Sequence, residues 1–324
     1  MRTPLWLRGG LILLISLALA APAQAGFEPR DKRSYQRAAW NFALRQTLPE
    51  LDAEFNGVDF GHSHLYETLL LTGGRDVPAV EDAARRLTLQ FIDSKPALPP
   101  NEEAIAPTYM KLAWRAQQVF DEAHALHRAT YDIYASDDVR DIGAAIRQAL
   151  AYYQDSPYAI TARPLDHRRL DSMPYSQAFR TRFPLFNATI WAYHYLQGAA
   201  YGALHAVPGR AAQRAALGPI LARYHGYLDH PPIEWTFMPL TAELSPDFAT
   251  AYPEIARIFD NLHMLHDNIS DILASEQLAT WETKREEIYR IIDRYYLASA
   301  DATNPMIVRE ETAPSRHDHE KAPQ

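Results

Sequence analysis

The chain has 324 residues, 32 of them basic and 40 acidic, a formal charge of −8 and no cysteine. The lack of thiols excludes disulfides, iron–sulfur clusters, covalent c-type haem and blue-copper sites. The acidic balance, with no clustered Lys or Arg, argues against a nucleic-acid partner.

In chain order, the first element is an export signal. Arg2 and Arg8 stand around the start of an apolar run from Leu11 to Ala20, and Ala23-Gln24-Ala25 follows. That order predicts a cleavable signal peptide over residues 1–25, a cut after Ala25, and a periplasmic or secreted mature chain. The run is shorter than the roughly 20 residues of a membrane span, so no stable membrane insertion is expected after cleavage. Cleavage removes two arginines and no acid, leaving 30 basic against 40 acidic residues, or −10.

Beyond the signal, apolar residues recur at spacings of three and four, which predicts an all-α fold. Helices are expected over Lys32–Leu48, Pro49–Leu71, Val77–Ser94, Pro107–Ala135 and Val139–Gln154. A second series covers Tyr175–Arg182, Leu185–His205, Gly209–Tyr227, Pro246–Ala274 and Glu276–Ser299. Pro and Gly mark the breaks between them. The expected organisation is a helical unit over 26–155, a connector over 156–174, a second unit over 175–300 and a disordered polar tail over 301–324.

The two units look like tandem copies. Phe120 to Ser136 aligns without a gap on Phe259 to Ser275, and nine of the 17 positions are identical, including Asp121/Asp260, His124/His263, His127/His266 and Asp132/Asp271. Unrelated segments would share about one, so the match reads as an internal repeat. A fainter echo pairs Phe55–Leu65 with Phe186–Leu196, both carrying central histidines.

The repeated Asp-x-x-His-x-x-His pattern points to metal. At about 100° per residue, its three side chains share a helix stripe about 120° wide. Residues three apart can converge on one ion, as the Glu-x-x-His helices of carboxylate di-iron bundles do. Imidazole suits zinc, copper, iron and nickel, and a carboxylate adds charge or orients a ring. The fainter echo adds His64 with Glu67, one turn apart, and His194, one turn before Gln197; His62 is the alternative ligand there. The candidate metal set is therefore His64, Glu67, Asp121, His124, His127, His194, Asp260, His263 and His266.

His64-Leu65-Tyr66-Glu67-Thr68-Leu69-Leu70 resembles the His-x-x-Glu helix of imelysin-like periplasmic proteins over about ten residues. That resemblance implies a duplicated helical bundle linked to iron uptake. The chain departs from the family at the glycine two positions before the His, where His62 stands. Hemerythrin-like proteins are similar in site composition alone, with His and carboxylates holding two irons in a helical bundle.

The function expected is a periplasmic metal-binding bundle with a one- or two-metal centre, iron first with copper, zinc or manganese behind, for metal handling or redox and oxygen chemistry. An enzyme here would be a metal-dependent oxidoreductase. The alternatives are a b-type haem protein with one axial histidine from each repeat, and a metal-free bundle that binds a protein partner.

Overall fold

The structure, a computed structural model, describes residues 36–73, 77–99 and 101–308, all within the unit Lys32–Gln324. The expected signal peptide and residues 309–324 lie outside the described residues.

The described residues are all-α and contain no strand, only the isolated bridges Ile160–Leu297 and Leu165–Ile307. The first helices are α1 (Ala43–Thr47), α2 (Pro49–Thr72), α3 (Val77–Asp93), α4 (Glu102–Ile105), α5 (Pro107–Ala135) and α6 (Ile142–Gln154). Then come α7 (His167–Leu170), α8 (Ala178–Arg182), α9 (Pro184–Ala206) and α10 (Arg210–Asp229). The last are α11 (Thr241–Leu244), α12 (Pro246–Ala251), α13 (Pro253–Ala274) and α14 (Trp281–Ile291), followed by a π turn over Ile292–Tyr296.

Proline opens α2, α5, α9, α12 and α13, where its missing N–H costs nothing and its fixed φ suits a first turn. The expected helix over Lys32–Leu48 is only α1 among the described residues. Phe42, just before it, is left-handed at φ 65°, and Asp132 takes the Phe42 and Leu44 amides at 3.2 and 2.7 Å. The expected Pro246–Ala274 helix is two helices, because Tyr252 (φ −133°, ψ 63°) breaks the run before Pro253.

Local geometry recurs along the chain. Gln177, before α8, has φ 66°, and Asp271 accepts from the Gln177 and Phe179 amides at 2.8 and 2.9 Å, matching Phe42, Leu44 and Asp132. Ala113 breaks α5 (φ −140°, ψ 47°) at the spacing ahead of Asp132 at which Tyr252 precedes Asp271.

Four long helices carry the centre of the molecule: α2 packs on α5, α9 and α13, and α5 packs on α9 and α13. The shorter elements wrap this group, with α3 on α2, α10 on α9, α6 on α5, and α14 on both α5 and α13. One apolar core runs through all of them, from Trp40 to Met306. Gly61 permits the approach of α2 to α9, since a Cβ there would stand 2.4 Å from the Tyr193 ring.

The segment after α14 corrects one expectation. Residues 301–308 were expected to be part of a disordered tail, yet the Asp166 amide donates to the Met306 carbonyl at 2.7 Å and the Val308 amide to Pro164 at 2.9 Å. The Thr161 amide likewise donates to Tyr296 and the Ala298 amide to Ala159. Residues 159–166 are thus tied along the end of the described chain. No described helix is long and apolar enough to cross a membrane.

Candidate metal centre

Each of the four central helices brings a pair of polar residues three apart, hence one turn apart on one face. They are Asp59 and His62 on α2, His124 and His127 on α5, His194 and Gln197 on α9, and His263 and His266 on α13. All eight are buried, none above 8 % exposed.

The six histidines and Asp59 form one connected cluster. His194 Nε2 lies 3.2 Å from His62 Nε2 and 3.4 Å from His266 Nδ1. One ligand nitrogen from each of these three rings falls within 4.8 Å of the others. A tetrahedral ion with bonds of about 2.0–2.1 Å spaces its donors about 3.3–3.4 Å apart, so the two short edges already have that dimension. A neutral ring nitrogen carries either one proton or one lone pair, so His194 Nε2 satisfies only one of its two neighbours. His124 Nδ1 stands 3.4 Å from Asp59 Oδ1. The His194 and His263 rings stack at 3.9 Å, and those of His62 and His266 meet at 4.1 Å. His127 joins through His263 at 6.0 Å and His124 at 6.3 Å.

Covering contacts are reciprocal. Phe120 of α5 lies 4.3 Å from His266 of α13, and Phe259 of α13 lies 3.4 Å from His127 of α5. Tyr66 stacks on Phe120 as Tyr201 stacks on Phe259.

Buried polar atoms in this cluster lack hydrogen-bond partners. His62 is held near the Val58 backbone one turn back. Each of the other seven residues keeps at least one unpartnered side-chain nitrogen or oxygen; for His124, His263 and Gln197 it is both. Such atoms cost about 1–3 kcal/mol each when buried unpaired, which a cation would relieve for several at once.

The electrostatics favour ligands over charged pairs. Burial holds all six imidazoles below their usual range, with added repulsion from neighbouring histidines or Arg128. His124 is pushed down to about 4 and His263 to about 3. They are therefore neutral at physiological pH, the form that binds metal. Burial pushes the Asp59 carboxyl up to about 8.

Of the nine residues singled out in the sequence, the structure brings together His124, His127, His194, His263 and His266. The other four are engaged elsewhere. His64 is two residues, about 200°, around α2 from His62, so the two cannot share a face; its ring stacks on Phe60 at 5.5 Å. The Glu67 carboxylate accepts from the Thr108 and Tyr109 amides at 3.0 and 2.9 Å, capping the start of α5. Asp121 accepts from Gln117 Nε2 at 2.8 Å, and Asp260 from the Thr241 amide at 2.7 Å at the start of α11. The cluster's remaining members are His62, the alternative ligand from the sequence, and Asp59, which sequence reasoning missed. The signal for Asp59 was its helix register: counted from Pro49 and Pro184, Asp59 stands where His194 does, and His62 where Gln197 does.

No protein-family model, no curated protein and no solved structure matches the chain.

Proposed function

We propose that this chain holds a transition metal among the six buried histidines, with His62, His194 and His266 as the primary ligands, and that its halves are copies of one helical unit. The observation that carries the first part is the pair of ring-nitrogen distances at His194, 3.2 and 3.4 Å, inside a buried polar cluster short of partners. The second rests on the gapless alignment, the matched caps at Asp132 and Asp271, and the reciprocal Phe-on-His contacts.

The donor set also bears on which metal. Iron was favoured for mixed His and carboxylate ligation, but Glu67, Asp121 and Asp260 serve backbone and side-chain donors. That leaves Asp59 as the carboxylate at hand. An all-imidazole triad suits copper or zinc as well as iron, and manganese, which prefers oxygen, stands last. The sealed ligand set favours holding an ion, or cycling its charge, over turning over a bulky substrate. The bis-histidine haem alternative is disfavoured, because imidazoles stacked at 3.9 and 4.1 Å leave no gap for a macrocycle between them.

Elemental analysis of the full chain, exported natively without an affinity tag or chelator, is the test. About one or two equivalents of a single transition metal are expected, lost in His194→Ala. Full occupancy in that variant overturns the ligand assignment. Metal well below one equivalent after anaerobic addition of iron, copper and zinc overturns the metal reading itself.

A further inference from the structure

We infer that the ion this site takes is monovalent cuprous copper, held three-coordinate by His62, His194 and His266. This rests on the metal reading and narrows it to one ion.

Three features of the triad set the charge and the coordination number. Its donors bring no charge, because an imidazole binds metal in its neutral form. Among the described residues no carboxylate joins the three nitrogens within their 4.8 Å reach. Asp59 faces His124 instead, at 3.4 Å, and Asp132 and Asp271 hold the first amides of α1 and α8. The second feature is depth, since the three rings are at most 3 % exposed. The cost of burying an ion grows with the square of its charge, so a divalent ion costs about four times as much as a monovalent one. The third is the number of donors. No fourth histidine, aspartate or glutamate of the described residues enters the group, whereas zinc is almost always four-coordinate. Non-haem iron takes a carboxylate beside its histidines, and manganese prefers oxygen. Of the monovalent ions, the alkali cations are hard and take oxygen. Cu⁺ is soft, accepts imidazole nitrogen and, with its filled d shell, demands no fourth ligand. In a trigonal plane with bonds of about 2.0 Å, donors stand about 3.5 Å apart. That is close to the 3.2 and 3.4 Å from His194 Nε2 to His62 Nε2 and His266 Nδ1.

The test adds Cu⁺ and Zn²⁺ to the metal-free full chain without oxygen, first separately and then in competition, with a Cu⁺-specific chelator setting the free Cu⁺. About one equivalent of Cu⁺ is expected, with the X-ray absorption edge of three-coordinate Cu⁺, and about a hundredfold excess of Zn²⁺ should displace none of it. Gln197 lies one turn from His194, buried, with both polar side-chain atoms unpartnered. Gln197→Glu therefore brings a negative charge into the cluster, and should narrow the preference for Cu⁺ over Zn²⁺ by about tenfold or more. Thermal melts identify a variant that fails to fold, and the competition in the natural chain stands without it. Displacement of Cu⁺ by equimolar Zn²⁺, or Cu⁺ bound by four or more donors, overturns the inference and leaves a metal site in place. So does an unchanged preference in folded Gln197→Glu. The metal reading itself fails separately, if the folded natural chain binds neither ion.

Discussion

Glu67 spends its charge on the first amides of α5, and Asp260 spends its own on the first amide of α11. The N-terminus of a helix carries partial positive charge and unpaired N–H groups, so a buried carboxylate settles there as readily as on a cation. Glu67→Ala should therefore lower the melting temperature by the equivalent of about 1–3 kcal/mol, leaving metal stoichiometry unchanged. A loss of metal without loss of stability would restore Glu67 to the ligand set. This explains where the sequence was legible and where it stopped. Spacing identified the histidine stripes of α5 and α13 because the same Asp-x-x-His-x-x-His pattern occurs in both segments. It could not distinguish a ligand carboxylate from a capping one, since both are polar groups one turn from a histidine on a largely apolar helix. What separates them is the start of another helix, α11 for Asp260 and α5 for Glu67. Asp59 stayed hidden because the weak Phe–Asn–Leu identities of the fainter echo shift α2 against α9 by one turn relative to their shared opening proline.

Among the elements, the long helices were readable to within a few residues from periodicity and proline, and α8 fell within the expected Tyr175–Arg182, but the short α4, α7 and α11 were not foreseen. A four- or five-residue helix such as α1 or α8 has no period of its own; it exists because Asp132 or Asp271 reaches across to its first amides. The far end of α13 depends on a comparable long reach. Lys284 Nζ donates to the carbonyls of Ile272, Leu273 and Ser275 at 2.8, 2.9 and 2.8 Å, closing the helix that bears His263 and His266. Lys284→Met should destabilise the fold by about 1–3 kcal/mol near pH 7. The pH dependence has a definite sign. Burial lowers the Lys284 amine from 10.5 to about 8. Between these values the folded chain binds fewer protons at this position than the unfolded chain, so the contribution of Lys284 to stability rises with pH across that window. Chemical melts at pH 7.5 and 9.5 should show the gap between natural chain and variant widening at the higher pH; a constant gap would show that the burial of the amine is not felt.

At the scale of the whole molecule, the centre takes one pair of residues from each of α2, α5, α9 and α13, so neither half of the chain holds the whole cluster. Binding there would stabilise the folded chain by RT ln(1 + [L]/Kd), about 2.7 kcal/mol at a hundredfold excess over Kd. The sealing of the cluster bears on time as well as on affinity. With none of its eight side chains above 8 % exposed, an ion held there would have no short path to water and would depart only when the helices part. Its escape should then be paced by the opening of the bundle rather than by the breaking of individual bonds to nitrogen. The signature would be a release rate that climbs about three- to sixfold for every 10 °C, as unfolding does, and that hardly responds to the concentration of a competing chelator. Such a protein would behave as a vault: slow to fill once folded, slow to empty, and best loaded while the chain is still closing around its cargo.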